Sequence, residues 1–208
     1  MDFYYGPISG NSSRVAFCLG EAGASYTPHR LDTKAGENRA PAYLAVNPMG
    51  KVPSLTDGAL ALWESNAINW YLAEKFPKAR LLPETIEGRA ETHRWLFFQT
   101  GHVTPACIPV MRGTNPRISA FWGGARDEAA VERGRSELAR YLPVIEQRLQ
   151  GREWLVDRFS LADVALTPHL YAVAGGGFDF SPYPRLRDWL DRLLSRPAWV
   201  VAEKMIFG

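Results

Sequence analysis

The chain predicts two fold classes in series: a mixed α/β domain first, then an all-helical one. Three observations carry this. Short strand-like runs alternate with helix-period segments as far as Phe76. Thr56-Asp57-Gly58 joins two of those runs as a hairpin, because Asp-Gly tolerates the positive φ of a tight turn. Beyond Pro77 the strand signals vanish and helical spacing takes over.

Residues 2–5 form an aromatic strand ended by Gly6-Pro7. Ser12 or Ser13 caps a helix over 14–22 with Val15, Leu19 and Ala22 on one face, and Gly23 stops it. A second strand spans 26–31, and a brief helix over 41–46 stops at Asn47-Pro48. Strands over 54–56 and 59–62 flank the hairpin. Glu64 and Ser65 then open an apolar helix over 67–76, with Asn66 placed to help cap it. The order βαβ, then αββα, is that of a thioredoxin-like domain.

Domain boundaries are expected at 1–78 and 88–208, joined by a linker over 79–87 that contains Leu81-Leu82-Pro83-Glu84. The helical domain begins with 88–113, which Pro105 and Pro109 should kink or divide. Val131, Leu138, Leu142, Ile145 and Leu149 make 127–149 a strongly amphipathic helix, bent at Pro143. Ser160 and Asp163 read as a capping box with Asp in place of Glu, and are taken as folding determinants. Gly175-Gly176-Gly177 is a flexible exit from that helix, and segments over 185–194 and 197–205 finish the bundle.

Hydrophobic residues make up 46% and charged ones 22%, so the chain is globular and not disordered. A formal charge of +2 with dispersed basic residues argues against nucleic acid as a partner. No apolar run approaches the roughly 18 residues of a membrane span. Cys18 and Cys107 lie outside any CxxC or metal spacing and read as buried thiols in a reducing compartment. The Met1-Asp2-Phe3-Tyr4 start lacks a basic, apolar signal segment, so a cytoplasmic location is expected. The four histidines form no metal pair, and no GxSxG or phosphate loop is present, which removes hydrolase and nucleotidase readings.

The densest motif is Asn47-Pro48-Met49-Gly50-Lys51-Val52-Pro53-Ser54-Leu55 followed by Leu62-Trp63-Glu64-Ser65-Asn66. Val52-Pro53 is expected to be cis, with the Val52 amide and carbonyl facing outward to pair with an extended peptide. The helix start at Ser65 offers backbone N–H groups and a hydroxyl to a carboxylate, and Glu64 can meet an ammonium group.

This combination resembles the glutathione site of the cytosolic glutathione transferase family, and the resemblance extends over nearly the whole chain. It implies that Val52, before the cis Pro53, pairs with the cysteinyl backbone of glutathione. Glu64 and Ser65 then hold the γ-glutamyl end, and Lys51 reaches the glycyl carboxylate. The thiol donor is sought between strand one and helix one. Ser9 matches the serine of bacterial, nu-, zeta- and theta-like members, and Asn11 matches a second sulfur-contacting position of the nu-like group. Ser12 is a further candidate. Tyr5 imitates the catalytic tyrosine of other classes but stands too far from Arg14. Cys18 falls too deep in its helix for the beta-class cysteine.

The resemblance further implies glutathione as cosubstrate, no metal or redox cofactor, and a homodimer built on 88–140. A hydrophobic electrophile or a disulfide is the second substrate. Its pocket is expected to draw on His102, Arg112 and Trp122, with Tyr4, Met111, Tyr171 and Phe178 as further wall residues. The competing activities are glutathione-dependent disulfide reduction or isomerisation, and a transferase fold used only for binding.

Overall fold

The computed structural model describes residues 1–208, which divide into two compact units: Met1–Arg80 with Pro197–Gly208, and Leu81–Arg196. No helix is long and apolar enough to cross a membrane.

The first unit is a thioredoxin-like α/β domain. Its four strands, β1 (Asp2–Tyr5), β2 (Thr27–Arg30), β3 (Ser54–Asp57) and β4 (Leu60–Trp63), lie in the order β2-β1-β3-β4. β1 runs parallel to β2 and antiparallel to β3. Alternation sets the two faces: Phe3 and Tyr5 are buried, while Tyr4 stacks on His29 at 4.7 Å on the other side. The hairpin pairs Asp57 with Leu60, so its loop is Gly58-Ala59, with Gly58 at φ 59°. Three helices follow the expected order, α1 (Gly10–Glu21), α2 (Pro41–Leu44) and α3 (Ser65–Lys75).

Helix α1 begins four residues before the expected start, and its cap is Ser9, not Ser12 or Ser13. Both of those hydroxyls are engaged elsewhere. Ser12 Oγ accepts from the Gly6 N–H at 3.3 Å, and Ser13 Oγ donates to the Gly10 carbonyl at 3.0 Å. Asn66 does not cap α3 either, because it already lies inside the first turn.

The second unit is helical: α4 (Ile86–Phe98), α5 (Thr104–Thr114), α6 (Pro116–Trp122), α7 (Glu128–Arg148), α8 (Leu161–Ala174) and α9 (Pro184–Leu194). The division of the first long segment falls at a π turn, Gln99–Val103, and not at a proline. Pro105 follows closely on this π turn, in the opening turn of α5, and the helical backbone runs through it. Helix α6 was not anticipated; Asn115 caps it by accepting from the Arg117 and Ile118 N–H groups ahead of Pro116. Helix α8 is buried all round except at Tyr171 and Ala174, so it forms the centre of this unit. Its capping box is present as expected, and Asp163 does more than cap. It also accepts from the Leu155 N–H and from Trp189 Nε1 at 2.9 Å, joining α8 to α9.

The last helix, α10 (Pro197–Phe207), groups with the first unit, whereas the sequence reading counted it with the bundle. Trp199 packs on Phe17 of α1 with ring centroids 5.6 Å apart. The two backbones come close at Gly20, where a Cβ would lie 2.8 Å from the Ala198 Cβ.

Candidate active site

The Asn47–Pro53 loop is tied from behind. Tyr43 Oη and Asn47 Nδ2 both donate to the Lys51 carbonyl, at 2.5 and 2.6 Å, which uses both lone pairs of that oxygen. Asn38 Nδ2 donates to the Gly50 carbonyl at 2.6 Å. The Val52-Pro53 bond is cis, and neither backbone polar group of Val52 finds a partner within the chain. Pro53 is buried, and the Lys51 side chain is exposed.

At the start of α3, Glu64 holds φ 70° and ψ 110°, a conformation few non-glycine residues adopt. Its side chain is exposed, and no side chain caps the helix. The first N–H groups of an α-helix have no intrahelical acceptor, so this end favours a carboxylate. Ser65 is buried, and its hydroxyl accepts from Arg14 Nη1 at 2.6 Å.

Arg14 is the residue that sequence reasoning missed. It is 2% exposed and reaches from α1 to both halves of the site. The same nitrogen that donates to Ser65 also lies 3.2 Å from Asn11 Oδ1, and the Arg14 carbonyl accepts from Asn69 Nδ2. Burial pulls the guanidinium below its ordinary pKa, and the nearby charge of Glu64 opposes that pull. The signal lay in the sequence: a single basic residue inside the otherwise small and apolar Ser12–Leu19 stretch, on a face that packs inward.

Ser9 stands at the N-cap of α1, half-buried, and its Oγ accepts from the Ser12 N–H at 3.2 Å. A hydroxyl has two acceptor sites and one donor, so capping leaves its own proton free to donate. Ile8 just before it is at φ 52°, rare for a β-branched residue, and its N–H donates to the Ile206 carbonyl of α10 at 2.9 Å. The C-terminal helix therefore fixes the backbone that presents Ser9. Asn11 is exposed in the first turn of α1. Tyr5 is a packed ring, 9% exposed and stacked on Phe3 at 5.6 Å. Cys18 is fully buried, and burial raises its thiol pKa.

Of the residues expected to take the second substrate, the structure brings Arg112 and Trp122 together. The guanidinium lies 4.5 Å from the indole centroid, and both line a cavity of about 380 Å³ in the second unit. His102 is elsewhere: it packs against Tyr141 at 5.3 Å and lines a different cavity of about 270 Å³ with Pro105, Arg133 and Glu137.

An uncapped helix end with a serine hydroxyl, an unpaired Val52 backbone and a hydroxyl at the start of α1 give this thioredoxin-like domain the polar groups to hold an extended peptide by its backbone and a carboxylate. The glutathione S-transferase N-terminal domain family matches residues 1–74, and the C-terminal domain family matches residues 100–197. Glutathione S-transferase F10 of Arabidopsis thaliana is 33% identical over 94% of this chain and 93% of its own. Disulfide-bond oxidoreductase YfcG of Escherichia coli is 32% identical over 95% of this chain and 92% of its own. Among solved structures, glutathione S-transferase-I bound with lactoylglutathione has a TM-score of 0.89 at 31% identity, covering 98% of both chains. The chain belongs to the glutathione S-transferase family. Its relatives include plant F-type transferases, and they lend no support to the bacterial nu-, zeta- and theta-like placement expected from Ser9 and Asn11.

Proposed function

We propose that this glutathione transferase uses Ser9 to hold the sulfur of glutathione as thiolate and directs it at an electrophilic small molecule. The observation that carries the reading is the buried Arg14, which holds Ser65 and Asn11 from one side chain and so fixes the start of α3 against the first turn of α1, next to Ser9. In the same reading Val52 pairs with the cysteinyl backbone. Glu64 and Ser65 hold the γ-glutamyl group at the N-terminus of α3, and Lys51 meets the glycyl carboxylate. Asn11 stands beside Ser9 as a secondary contact, and Tyr5 is left to the core.

A free thiol with a pKa of about 8.5 is mostly protonated near neutrality, and each unit of lowering requires about 1.4 kcal/mol of preferential thiolate stabilisation. One hydroxyl donor at a helix N-terminus supplies an effect of that size. Glutathione is a cosubstrate here, and the second substrate is a hydrophobic electrophile. A homodimer built on 88–140 is part of the proposal, supported by Phe97, an α4 aromatic 74% exposed. Two buried, unpaired thiols suit a cytoplasmic setting.

The test is an ultraviolet pH titration of glutathione on the purified protein, read at the thiolate band. A saturable signal with a pKa at least one unit below free glutathione is expected, returning toward the free value in Ser9→Ala. An unshifted thiol would overturn the assignment. Disulfide reduction is retained as a second activity because YfcG, named a disulfide-bond oxidoreductase, is similar over nearly the whole chain. Turnover of a glutathionyl mixed disulfide, assayed beside conjugation, separates the two.

A further inference from the structure

Gly6 follows strand β1 at a point where three segments of the first unit meet. It is buried and holds no positive φ, and a residue ahead of a proline takes extended backbone that alanine adopts as well, so conformation does not require glycine here. Space does. A Cβ at this position would lie 2.9 Å from Val52 Cγ2 and 3.0 Å from Thr33 Cγ2, so two methyl groups converge on the bare Cα. Gly6 itself is pinned. The Tyr5 carbonyl before it accepts from the Leu31 N–H at 2.8 Å, and its own N–H donates to Ser12 Oγ of α1 at 3.3 Å. Val52 is half-buried, and Tyr43 and Asn47 hold the Lys51 carbonyl directly before it. Its β-branched side chain has little rotamer freedom to swing aside. Thr33 sits on a surface turn between exposed Asp32 and Lys34, and yields to a small displacement more readily than Val52 does.

We propose that Gly6 is a positioning residue for glutathione. Its bare Cα seats the Val52 side chain, and so sets where the Val52 backbone meets the cysteinyl unit relative to the Ser9 hydroxyl. This rests on the glutathione reading above. In a tripeptide paired through Val52 the sulfur hangs directly from the paired residue, so a displaced backbone carries the sulfur with it. Carbon atoms settle about 3.5–4.0 Å apart, so a methyl group at residue 6 must drive Val52 back by about 0.6 Å. Misplacement by about 1 Å costs a reaction about a hundredfold, so about half that distance predicts an effect near tenfold.

Calorimetric titration of the full chain with S-methylglutathione, which keeps the tripeptide backbone and has no thiol, reads the seat apart from thiol chemistry. Gly6→Ala is expected to bind it about tenfold more weakly than the parent. Val52→Ala vacates the seat and keeps the backbone; it should lose about threefold, and Gly6→Ala/Val52→Ala should bind as Val52→Ala does. Gly6→Ala/Thr33→Ser should stay as weak as Gly6→Ala. The thiol pKa of bound glutathione, read at its ultraviolet band, should rise in Gly6→Ala and return in Gly6→Ala/Val52→Ala, which a loss of fold stability alone does not produce. Unchanged S-methylglutathione affinity in Gly6→Ala overturns the seat, and so does recovery by Thr33→Ser in place of Val52→Ala. Weaker affinity with an unmoved thiol pKa overturns the alignment with Ser9. If Gly6→Ala does not fold, Val52→Ala decides alone, and an affinity equal to the parent's overturns the proposal. A parent that binds S-methylglutathione but leaves the glutathione thiol unshifted removes Ser9 from the reading, and the seat then stands or falls on Gly6→Ala. A parent that binds neither ligand overturns both.

Discussion

The guanidinium of Arg14, sealed in the core of the first unit, donates to the hydroxyl of Ser65 at 2.6 Å across 51 residues of sequence. This single contact joins the first helix to the N-terminus of the third. A hydrogen bond from a charged donor in a buried setting is worth about 1.5–3 kcal/mol. Arg14→Gln should therefore raise the KM for glutathione by about tenfold to a hundredfold, with a smaller effect on the second substrate. Varying each substrate in turn at saturation of the other reads the split, and equal effects on both would remove Arg14 from glutathione positioning.

Ser9 carries two tasks that substitution can separate. As the N-cap of α1 its oxygen accepts from the Ser12 N–H, and Ser9→Ala should cost about 1 kcal/mol of stability. Aspartate caps as well as serine does, so Ser9→Asp should keep the melting temperature of the parent. It places a negative charge where the thiolate forms, which raises the thiol pKa. A stable Ser9→Asp variant with conjugation lowered at least tenfold places residue 9 beside the thiolate. Undiminished conjugation in that variant would move the role to Asn11.

The parts of this chain that were legible in sequence are those whose signal is local. Strand β1 shows in its aromatic run Phe3-Tyr4-Tyr5, the hairpin in Asp57-Gly58, and the α8 cap in Ser160 and Asp163 three residues apart. Val52-Pro53 and Glu64-Ser65 are likewise contiguous, so the cis bond and the start of α3 could be read directly. The Arg14–Ser65 contact could not, because nothing in spacing reports which face of α1 meets α3. The cap of α1 was misplaced for a similar reason: Ser12 is a good capping residue, but its hydroxyl is taken by the Gly6 N–H, six residues back. His102 lies within the π turn Gln99–Val103 and Arg112 near the end of α5, about 15 Å of helical rise further on, so nothing in the local sequence brings the two onto one wall.

Asp163 gives the second unit a pH signature. Burial pushes its carboxyl up from 3.8 to about 6, against the opposing hydrogen bonds from Trp189, Leu155 and Ser160. An acid whose folded pKa lies above its unfolded one binds protons more tightly when folded. Its stabilising contribution is therefore greatest near pH 4, declines as pH rises to about 6, and is flat above. The stability advantage of the parent over Asp163→Asn should shrink across that window. It should not vanish, because the Asn Nδ2 must face either the Ser160 N–H or the Leu155 N–H and leaves that donor unpaired, at a cost of about 1–3 kcal/mol. Urea melts of both proteins at pH 4, 5, 6 and 7 measure it, and a constant difference would refute the burial argument.

The two cysteines bear on disulfide chemistry. Cys18 and Cys107 are both fully buried, and burial raises both thiol pKa values, which suppresses the thiolate that exchange requires. Any reduction of a disulfide by this chain should then use glutathione for both sulfur attacks and no protein thiol. The native protein should react with an aromatic disulfide reagent only on unfolding, and Cys18→Ala/Cys107→Ala should keep its turnover per folded molecule. A fall in reductase activity with conjugation preserved would place a protein thiol in the pathway.

Ile206 and Gly20 place the C-terminal helix in the active site's support. The Ile8 N–H reaches the Ile206 carbonyl, and Ile8 sits at φ 52° directly before Ser9. Removing residues 206–208 deletes that acceptor and the buried Ile206 and Phe207 side chains, so the strained Ile8 backbone loses the contact that holds it. Conjugation should fall with a raised thiol pKa. Gly20→Ala probes the same packing from the other end. Alanine is worth about 1 kcal/mol over glycine in a helix interior, but here its Cβ would meet the Ala198 Cβ at 2.8 Å, and two helix backbones must part to admit it. Overpacking of that kind costs about 1–3 kcal/mol, so the clash wins and the variant should melt lower than the parent. In the double variant Gly20→Ala/Ala198→Gly the space is restored. The melting temperature should recover most of the loss, and the thiol pKa of bound glutathione should return with it; recovery of neither would show that α1 and α10 do not pack through this contact.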